Sequence, residues 1–198
     1  MPDFDAIIIG TGQAGQSLAF RLTGAGMKVA VVERHLVGGT CVNTGCTPTK
    51  PLIASAHAAR IARCAAEYGV LIGKDIGIDM RRVKARTDAI VAASRNGRTS
   101  ALENATNITL YRGHARFSSP QAVEIAGERL RAGRIFINVG GRALVPPMPG
   151  INEVPYLTNS SMKDVDFLPR HLVIVGGSYI GLDGCRRVQA ATSAVIFI

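Results

Sequence analysis

Residues 5–34 read DAIIIGTGQAGQSLAFRLTGAGMKVAVVER, and the architecture follows from how this stretch alternates. Ala6 to Ile9 is a short unbroken apolar run, the pattern of a parallel strand covered on both faces. Gly10 to Gly15 is a turn. From Gln16 to Leu22 the spacing is helical, with Leu18, Ala19 and Leu22 on one side. Gly24 and Gly26 are placed to end that helix, because glycine tolerates a left-handed backbone there. Lys28 to Val32 reads as a second buried strand, which completes a βαβ unit. Within Gly10-x-Gly12-x-x-Gly15, the first glycine permits the tight turn. The second keeps a Cβ out of the path of a pyrophosphate, and the third lets helix and strand pack closely. The helix start, with Gln13 and Ala14, offers unsatisfied N–H groups to phosphate. Glu33, followed by Arg34, stands at the end of the next strand, 18 residues after Gly15. A carboxylate there accepts hydrogen bonds from ribose hydroxyls. Three glycines alone are weak evidence, but strand, turn, helix, strand and terminal acid together predict a dinucleotide site.

The scheme repeats in HLVIVGGSYIGLDGCRRVQAATSAVIFI, residues 171–198. An apolar strand (Leu172–Val175) leads into a glycine turn (Gly176–Gly181), a helix and a second apolar strand, Ala194–Ile198. Two strands do not finish a doubly wound sheet, since their edges expose backbone groups and apolar faces. Between the two units, residues 50–66 and 80–104 carry helical patterns. Residues 108–139 read as short strands with turns at Ser118–Pro120 and Ala126–Glu128. VPPMPG, residues 145–150, is a stiff extended connector. The domain boundary is therefore expected there, with one domain over 1–148 and a partial one over 149–198.

Composition narrows the function classes. Of the 198 residues 47% are hydrophobic and 19% charged, enough to bury a core rather than remain disordered. No apolar run reaches the length of a membrane span. The opening MPDFDAIIIG places acids where a secretion signal carries basic residues, so a cytoplasmic protein is expected. The net charge of +9 raises the question of nucleic acid. The basic groups are dispersed, however, over Arg81, Arg82, Lys84 and Arg86, then Arg129, Arg131 and Arg134, then Arg186 and Arg187. No aromatic platform interleaves them, so they read as solvated faces, whose field also favours small anionic cofactors. His35, His57, His114 and His171 are isolated and lack metal-ligand spacing, and His114 reads as packed or hydrogen-bonded within its strand. There is no CxxC, and no metal site is expected.

The second chemical feature is GGTCVNTGCTPTK, residues 38–50. Cys41 and Cys46, five residues apart, would have Cα atoms roughly 8–9 Å apart on an ideal helix. A disulfide needs under about 7 Å. A bridge therefore demands a distorted turn, which Gly45 or Pro48 could supply; two reduced, buried thiols are the other reading. In a cytosolic chain a small-loop disulfide is catalytic more often than structural, and a thiol at a helix start beside a lysine is of the reactive kind. Cys64 and Cys185 read as packed or surface thiols.

GTGQAG, Glu33 and GGTCVNTGCTPTK together resemble class I pyridine nucleotide–disulfide oxidoreductases, the family of glutathione reductase, dihydrolipoamide dehydrogenase and mercuric reductase. TPTK is most similar to the mercuric-reductase-like branch. RGHARF (112–117), RIFINVGGRALVPPMPG (134–150) and VGGSYIGLD (175–183) follow in family order. The resemblance implies an α/β fold: a three-layer Rossmann-like FAD-binding domain with a small antiparallel β-meander, plus an incomplete second Rossmann unit for NAD(P). It implies that Gly10, Gly12, Gln13, Ala14, Gly15, Glu33 and Arg34 hold the ADP half of FAD. Gly38, Gly39 and Thr40 would border pyrophosphate and flavin. Cys46 would be the thiol beside the flavin, Cys41 the interchange thiol that meets substrate, and Lys50 a cation near the flavin ring. Ala115 would meet the adenine through its backbone, and Gly140 belongs to an element that here reads Asn138-Val139-Gly140, without the family's threonine. Gly176, Gly177, Ser178, Tyr179, Ile180 and Gly181 would hold NAD(P)H, with Tyr179 as a gate and Ser178 in place of the middle glycine. Asp183 replaces a glutamate that pairs with the lysine at position 50. Pro51 directly after Lys50 is also unusual, harmless in a first helical turn and costly further in.

The sequence thus predicts an FAD-dependent NAD(P)H:disulfide-type oxidoreductase acting on a small-molecule or disulfide substrate, with mercuric ion as an option. Electrons would pass to the Cys41–Cys46 disulfide. Without the family's dimerisation domain, through which full-length members form homodimers, the 198 residues alone are expected to be inactive. The alternative is a non-catalytic remnant, or an FAD-half module that needs a partner chain; the altered run Gly184–Ser193 points that way.

Overall fold

A computed structural model of the chain describes residues 3–73, 75–188 and 194–197; the side chains of Asp183 and of Cys185 onward lie outside the described ones. The chain forms two compact units, Met1–Asn43 with Ala92–Arg142, and Thr44–Val91 with Ala143–Ile198.

The first unit is built on a six-stranded sheet. Its strands are β1 (Asp3–Ile9), β2 (Val29–Glu33), β3 (Ile108–Arg112), β4 (Arg116–Ser119), β5 (Ala122–Ile125) and β6 (Glu128–Ile137), in the order β3-β2-β1-β6-β5-β4. β1, β2 and β3 run parallel, with Ala6 opposite Val29 and Val29 opposite Ile108. β6 serves two neighbours. Glu128 to Arg131 pair antiparallel with β5, and Arg131 to Ile137 run parallel to β1. This is the Rossmann-like half-sheet with the small meander that the sequence predicts.

The unbroken apolar runs have the expected cause. Along β2, Val29 and Val31 enter one core with Ala6, Ile8, Ala19, Val37 and Leu102. Ala30 and Val32 enter the other with Ile7, Val123, Ile125 and Leu130. Both faces of the strand are covered, so no position in it can be polar without a buried partner.

Helix α1 (Gln13–Gly24) lays Ala19 on the sheet and ends one residue later than its glycines suggest. Gly24 is still helical, whereas Gly26 takes φ 83°. Gly26 N–H donates to Thr23 and Met27 N–H to Leu22, a Schellman closure that needs its left-handed residue two places beyond the last helical one. Helix α2 (Gly39–Asn43) is a single short turn.

The second unit contains α3 (Cys46–Cys64), a 3₁₀ turn (Ala65–Tyr68), the first half of α4 (Met80–Glu103), β7 (His171–Ile174), α5 (Tyr179–Val188) and β8 (Ala194–Phe197). β7 and β8 are parallel, with Leu172 opposite Val195, as a second βαβ unit requires. α3 runs against α5. Val173, Tyr179 and Leu182 are exposed. Among the described residues, no helix is long and apolar enough to cross a membrane.

Candidate functional site

The first glycine turn is closed by backbone rather than by side chains. Gly10 has φ 105°, and a Cβ there would lie 2.2 Å from the Asn138 carbonyl oxygen. A Cβ on Gly15 would lie 2.0 Å from the Gly10 carbonyl oxygen and 3.5 Å from Ile8 Cγ2. These two glycines are required by the packing of the turn on β1 and on the end of β6. Gly12 is different: a Cβ there would meet nothing within 4 Å, and its φ is −65°. The protein itself would accommodate a methyl at that position, so the space it leaves is available to a ligand. The N-terminus of α1 has no side-chain cap and no acid in its first turn, while Gln13 and Ala14 are exposed there. Those free amides and the open space suit an anionic group such as a pyrophosphate.

Glu33 closes the far side. Its Oε2 accepts from the Thr11 amide at 3.1 Å and from the Thr11 hydroxyl. Its Oε1 accepts from the His35 amide at 2.9 Å. Arg34 is exposed beside it. Thr11 is fully buried, and its hydroxyl also accepts from the Gly38 amide at 3.2 Å. The second glycine pair is thereby drawn against the first. A Cβ on Gly39 would lie 2.7 Å from Gly12 Cα, and Gly39 itself has φ 60°. Thr40 and half-buried Cys41 follow on α2. Val139 and Gly140 continue from Asn138, whose amide donates to Ile9 at 2.8 Å. Ala115 packs half-buried against the meander-side core. The structure therefore gathers Gly10, Gly12, Gly15, Glu33, Gly39 and the Asn138–Gly140 segment in one unit.

Thr11 was not singled out by the motif, nor were Gln16 and Asn43. Gln16 is 5% exposed and donates from Nε2 to the Thr11 carbonyl at 3.0 Å. Asn43 is 8% exposed and donates to the Val37 and Gly39 carbonyls, both at 3.0 Å. The legible signal for Gln16 is a polar residue on the helix stripe shared with Ala19. His114 corrects the strand reading. It is exposed between β3 and β4, next to Gly113 at φ 152°.

In the second unit, Cys46 is the exposed first residue of α3 and exposed Lys50 follows one turn later, which puts both on one helix face. Gly45, between α2 and α3, departs from helical geometry (φ −119°, ψ −117°). Pro48 sits in the first turn of α3. Pro51 lies deeper, as the sixth residue. Its ring removes one helical N–H, while its carbonyl accepts from Ser55 Oγ at 3.1 Å and from Arg86 at 3.2 Å.

The second glycine turn repeats the closing contact of the first at its third glycine, although a Cβ on Gly176 would meet nothing within 4 Å. Gly176 has φ 99°, and a Cβ on Gly181 would lie 2.3 Å from the Gly176 carbonyl oxygen and 3.2 Å from Ile174 Cγ2. Gly177, Ser178, Tyr179 and Ile180 are all exposed at the start of α5. Ser178 occupies the place equivalent to Gly12. Asp183 lies on α5, but its side chain is outside the described ones, as is that of Cys185; Cys64 is half-buried at the end of α3. Among the described residues, no group of three His, Cys, Asp or Glu stands together as metal ligands would.

Two glycine turns whose third glycine packs on the carbonyl of the first stand in the sequence on either side of a cysteine-bearing helix start. The dihydrolipoyl dehydrogenase of Acholeplasma laidlawii is 32% identical over 185 residues, covering 91% of this chain and 55% of that protein. A mercuric reductase of Bacillus cereus is 33% identical, covering 91% of this chain and 28% of its own length. The HOCl-induced flavoprotein disulfide reductase RclA of Escherichia coli, solved as a Cu(II) complex, superposes with a TM-score of 0.84 at 31% identity. That match covers 100% of this chain and 42% of RclA. The chain thus spans between about a quarter and a little over half of these relatives. Residues 4–198 match the family model described as pyridine nucleotide-disulphide oxidoreductase. With the twin glycine turns, the acid at the end of β2 and the cysteine pair all in family order, the chain belongs to the pyridine nucleotide-disulphide oxidoreductases.

Proposed function

We propose that this chain binds FAD at the Gly10–Gly15 turn and carries the NAD(P)H turn at Gly176–Gly181, and that it serves an NAD(P)H-dependent disulfide-type reduction through Cys41 and Cys46 as part of a longer polypeptide, the 198 residues alone being inactive. The observation that carries the reading is the contrast between Gly12 and its neighbours. Gly10 and Gly15 are demanded by packing, whereas Gly12 leaves open space before an uncapped helix start. Gly12, Gln13, Ala14 and Gly39 would cradle the pyrophosphate, Glu33 would accept from the ribose, and Ala115 would border the adenine. Gly140 and Thr40 would lie toward the flavin. Bound FAD would supply a two-electron carrier between nicotinamide and sulfur.

The remaining chemistry belongs to the chain's own side chains. With Cys41 and Cys46 both reduced, the Cys41 thiolate attacks a disulfide substrate and one substrate thiolate leaves. Cys46 then attacks the mixed disulfide at Cys41, which releases the second thiol and leaves a Cys41–Cys46 disulfide. The positive end of α3 and the Lys50 ammonium favour negative charge at Cys46. The same thiol pair suits a soft metal ion, and mercuric reductases and a Cu(II) complex of RclA stand among the similar proteins. A cytoplasmic setting and a homodimeric full-length assembly belong to this proposal, as does the division into an FAD-type domain over 1–148 and an NAD(P)-type segment from 149.

The exposed apolar residues Val173, Tyr179 and Leu182 favour a second reading, an FAD-half module whose β7–α5 unit is covered by a further polypeptide.

The test is the absorbance spectrum of the purified chain after incubation with FAD and gel filtration, then with NADPH and dithionite. Retained flavin and a long-wavelength charge-transfer band that disappears in Cys46→Ser support the proposal. A colourless protein after gel filtration overturns it.

A further inference from the structure

The two glycine loops that meet at Gly12 and Gly39 are each held from behind by the same device. A buried amide side chain donates to the loop carbonyls with its nitrogen and accepts from a guanidinium with its oxygen. On the first loop, Gln16 Nε2 donates to the Thr11 carbonyl and Gln16 Oε1 accepts from Arg98 at 3.0 Å. On the second, Asn43 Nδ2 donates to Val37 and Gly39 while Asn43 Oδ1 accepts from Arg95 at 3.3 Å. Arg95 and Arg98 are three residues apart on α4 and therefore neighbours on its surface. They lie 52 and 82 residues from the amides they serve.

We infer that Arg95 and Arg98 are positioning residues of the dinucleotide cradle: one arginine on each loop, acting through Asn43 and Gln16, sets the approach of Gly39 to Gly12. The physical reason lies in the amide groups. A buried Gln or Asn can present either end to a carbonyl, and the wrong end would face two oxygens. A cation on the oxygen side removes that ambiguity, because a guanidinium only donates. Charge-assisted hydrogen bonds also hold more tightly than neutral ones. The Thr11 hydroxyl, bonded to the Gly38 amide, ties the two loops to each other. Loss of either arginine therefore loosens its own loop first and the contact second. This inference extends the dinucleotide reading above to residues on α4, and its role in binding rests on that reading.

The experiment compares the full chain with Arg98→Met and Arg95→Met, which keep an unbranched stem and remove the cation, and with Arg98→Lys. Two quantities are read: site-resolved amide hydrogen exchange without ligand, and affinity for FAD and for ADP. Arg98→Met is expected to speed exchange at the Thr11 amide, and Arg95→Met at the Gly38 amide, each about tenfold, with the central β2 amides unchanged. FAD and ADP are expected to bind about tenfold more weakly to both, with Arg98→Lys recovering part of the loss. Unchanged exchange at Thr11 and Gly38 overturns the inference, and so does exchange that rises equally in β2, which marks a general loss of stability. If Arg98→Met does not fold, Arg95→Met and Arg98→Lys decide by the same two amides. If the unaltered chain binds neither FAD nor ADP, the dinucleotide reading fails, and the exchange data still judge the two arginines.

Discussion

The amide and the hydroxyl of Thr11 both donate to one carboxylate oxygen of Glu33, so the residue inside the glycine turn and the acid at the end of β2 form one unit before any ligand arrives. The acid is thereby held toward the turn, with its second oxygen on the His35 amide. A carboxylate oxygen has spare lone pairs, so this arrangement leaves capacity for further donors.

Thr11→Val tests that unit. The substitution keeps the shape but removes a donor to Glu33 and the acceptor of the Gly38 amide, which is itself buried. A stability loss of about 1–3 kcal/mol is expected, the cost of leaving a buried polar group unsatisfied. Urea unfolding measures it; a midpoint equal to that of the unaltered chain rejects the account.

The glycines of the first turn should separate into two classes. Gly15→Ala forces a methyl against the Gly10 carbonyl and is expected to cost about 3 kcal/mol or more, or to prevent folding. Gly12→Ala places its methyl in open space and should change stability by less than about 0.5 kcal/mol. On the proposed function, Gly12→Ala should nevertheless lose most of its FAD affinity. Thermal melts and flavin titrations on the same samples give both answers, and a destabilised Gly12→Ala contradicts the geometry.

Pro51 is the sixth residue of α3 and denies the Thr47 carbonyl its helical donor. Pro51→Ala restores that N–H, against a smaller loss of rigidity in the unfolded chain. A net gain of about 1–2 kcal/mol is expected from chemical denaturation. Loss of stability would show that packing of the buried ring outweighs the missing bond.

Tyr111 supplies a pH dependence. Burial raises its phenol above the ordinary 10.0, and the Glu128 carboxylate adds to the rise. Its ring also meets Phe4 edge-on at 6.0 Å. A folded-state pKa above the unfolded one means that its contribution is complete below about pH 10 and is lost as pH climbs through the folded value. The unfolding midpoint of the unaltered chain should therefore fall more steeply above about pH 10 than that of Tyr111→Phe. Parallel slopes would exclude Tyr111 as the source.

Much of the fold is legible because it rests on short-range pattern. The apolar runs Ala6–Ile9 and Lys28–Val32, the twin glycine turns and the helical stretches over 50–66 and 80–104 announce their elements locally. Their ends move by a few residues where hydrogen-bond closure decides, as at Gly26. His114, expected to be packed or hydrogen-bonded within its strand, is exposed between β3 and β4, because the strand break at Gly113 depends on backbone dihedrals that residue type alone does not specify. Around the first glycine turn, the glycines and Glu33 were legible. Thr11, Gln16, Asn43, Arg95 and Arg98, which hold the loops from behind, lie at positions the motif leaves open, or on a helix far along the chain.

The order of residues by itself determined the family, the two nucleotide-type turns and the cysteine pair, because each depends on spacing within some 30 residues, where local geometry is set by residue type. Tertiary structure alone decided which glycine faces open space and which faces a carbonyl, and which arginines reach the loops. Those outcomes depend on long-range pairing, β1 against β6 and α4 against α1, and a hydrogen bond across 82 residues leaves no periodic trace in the chain that makes it.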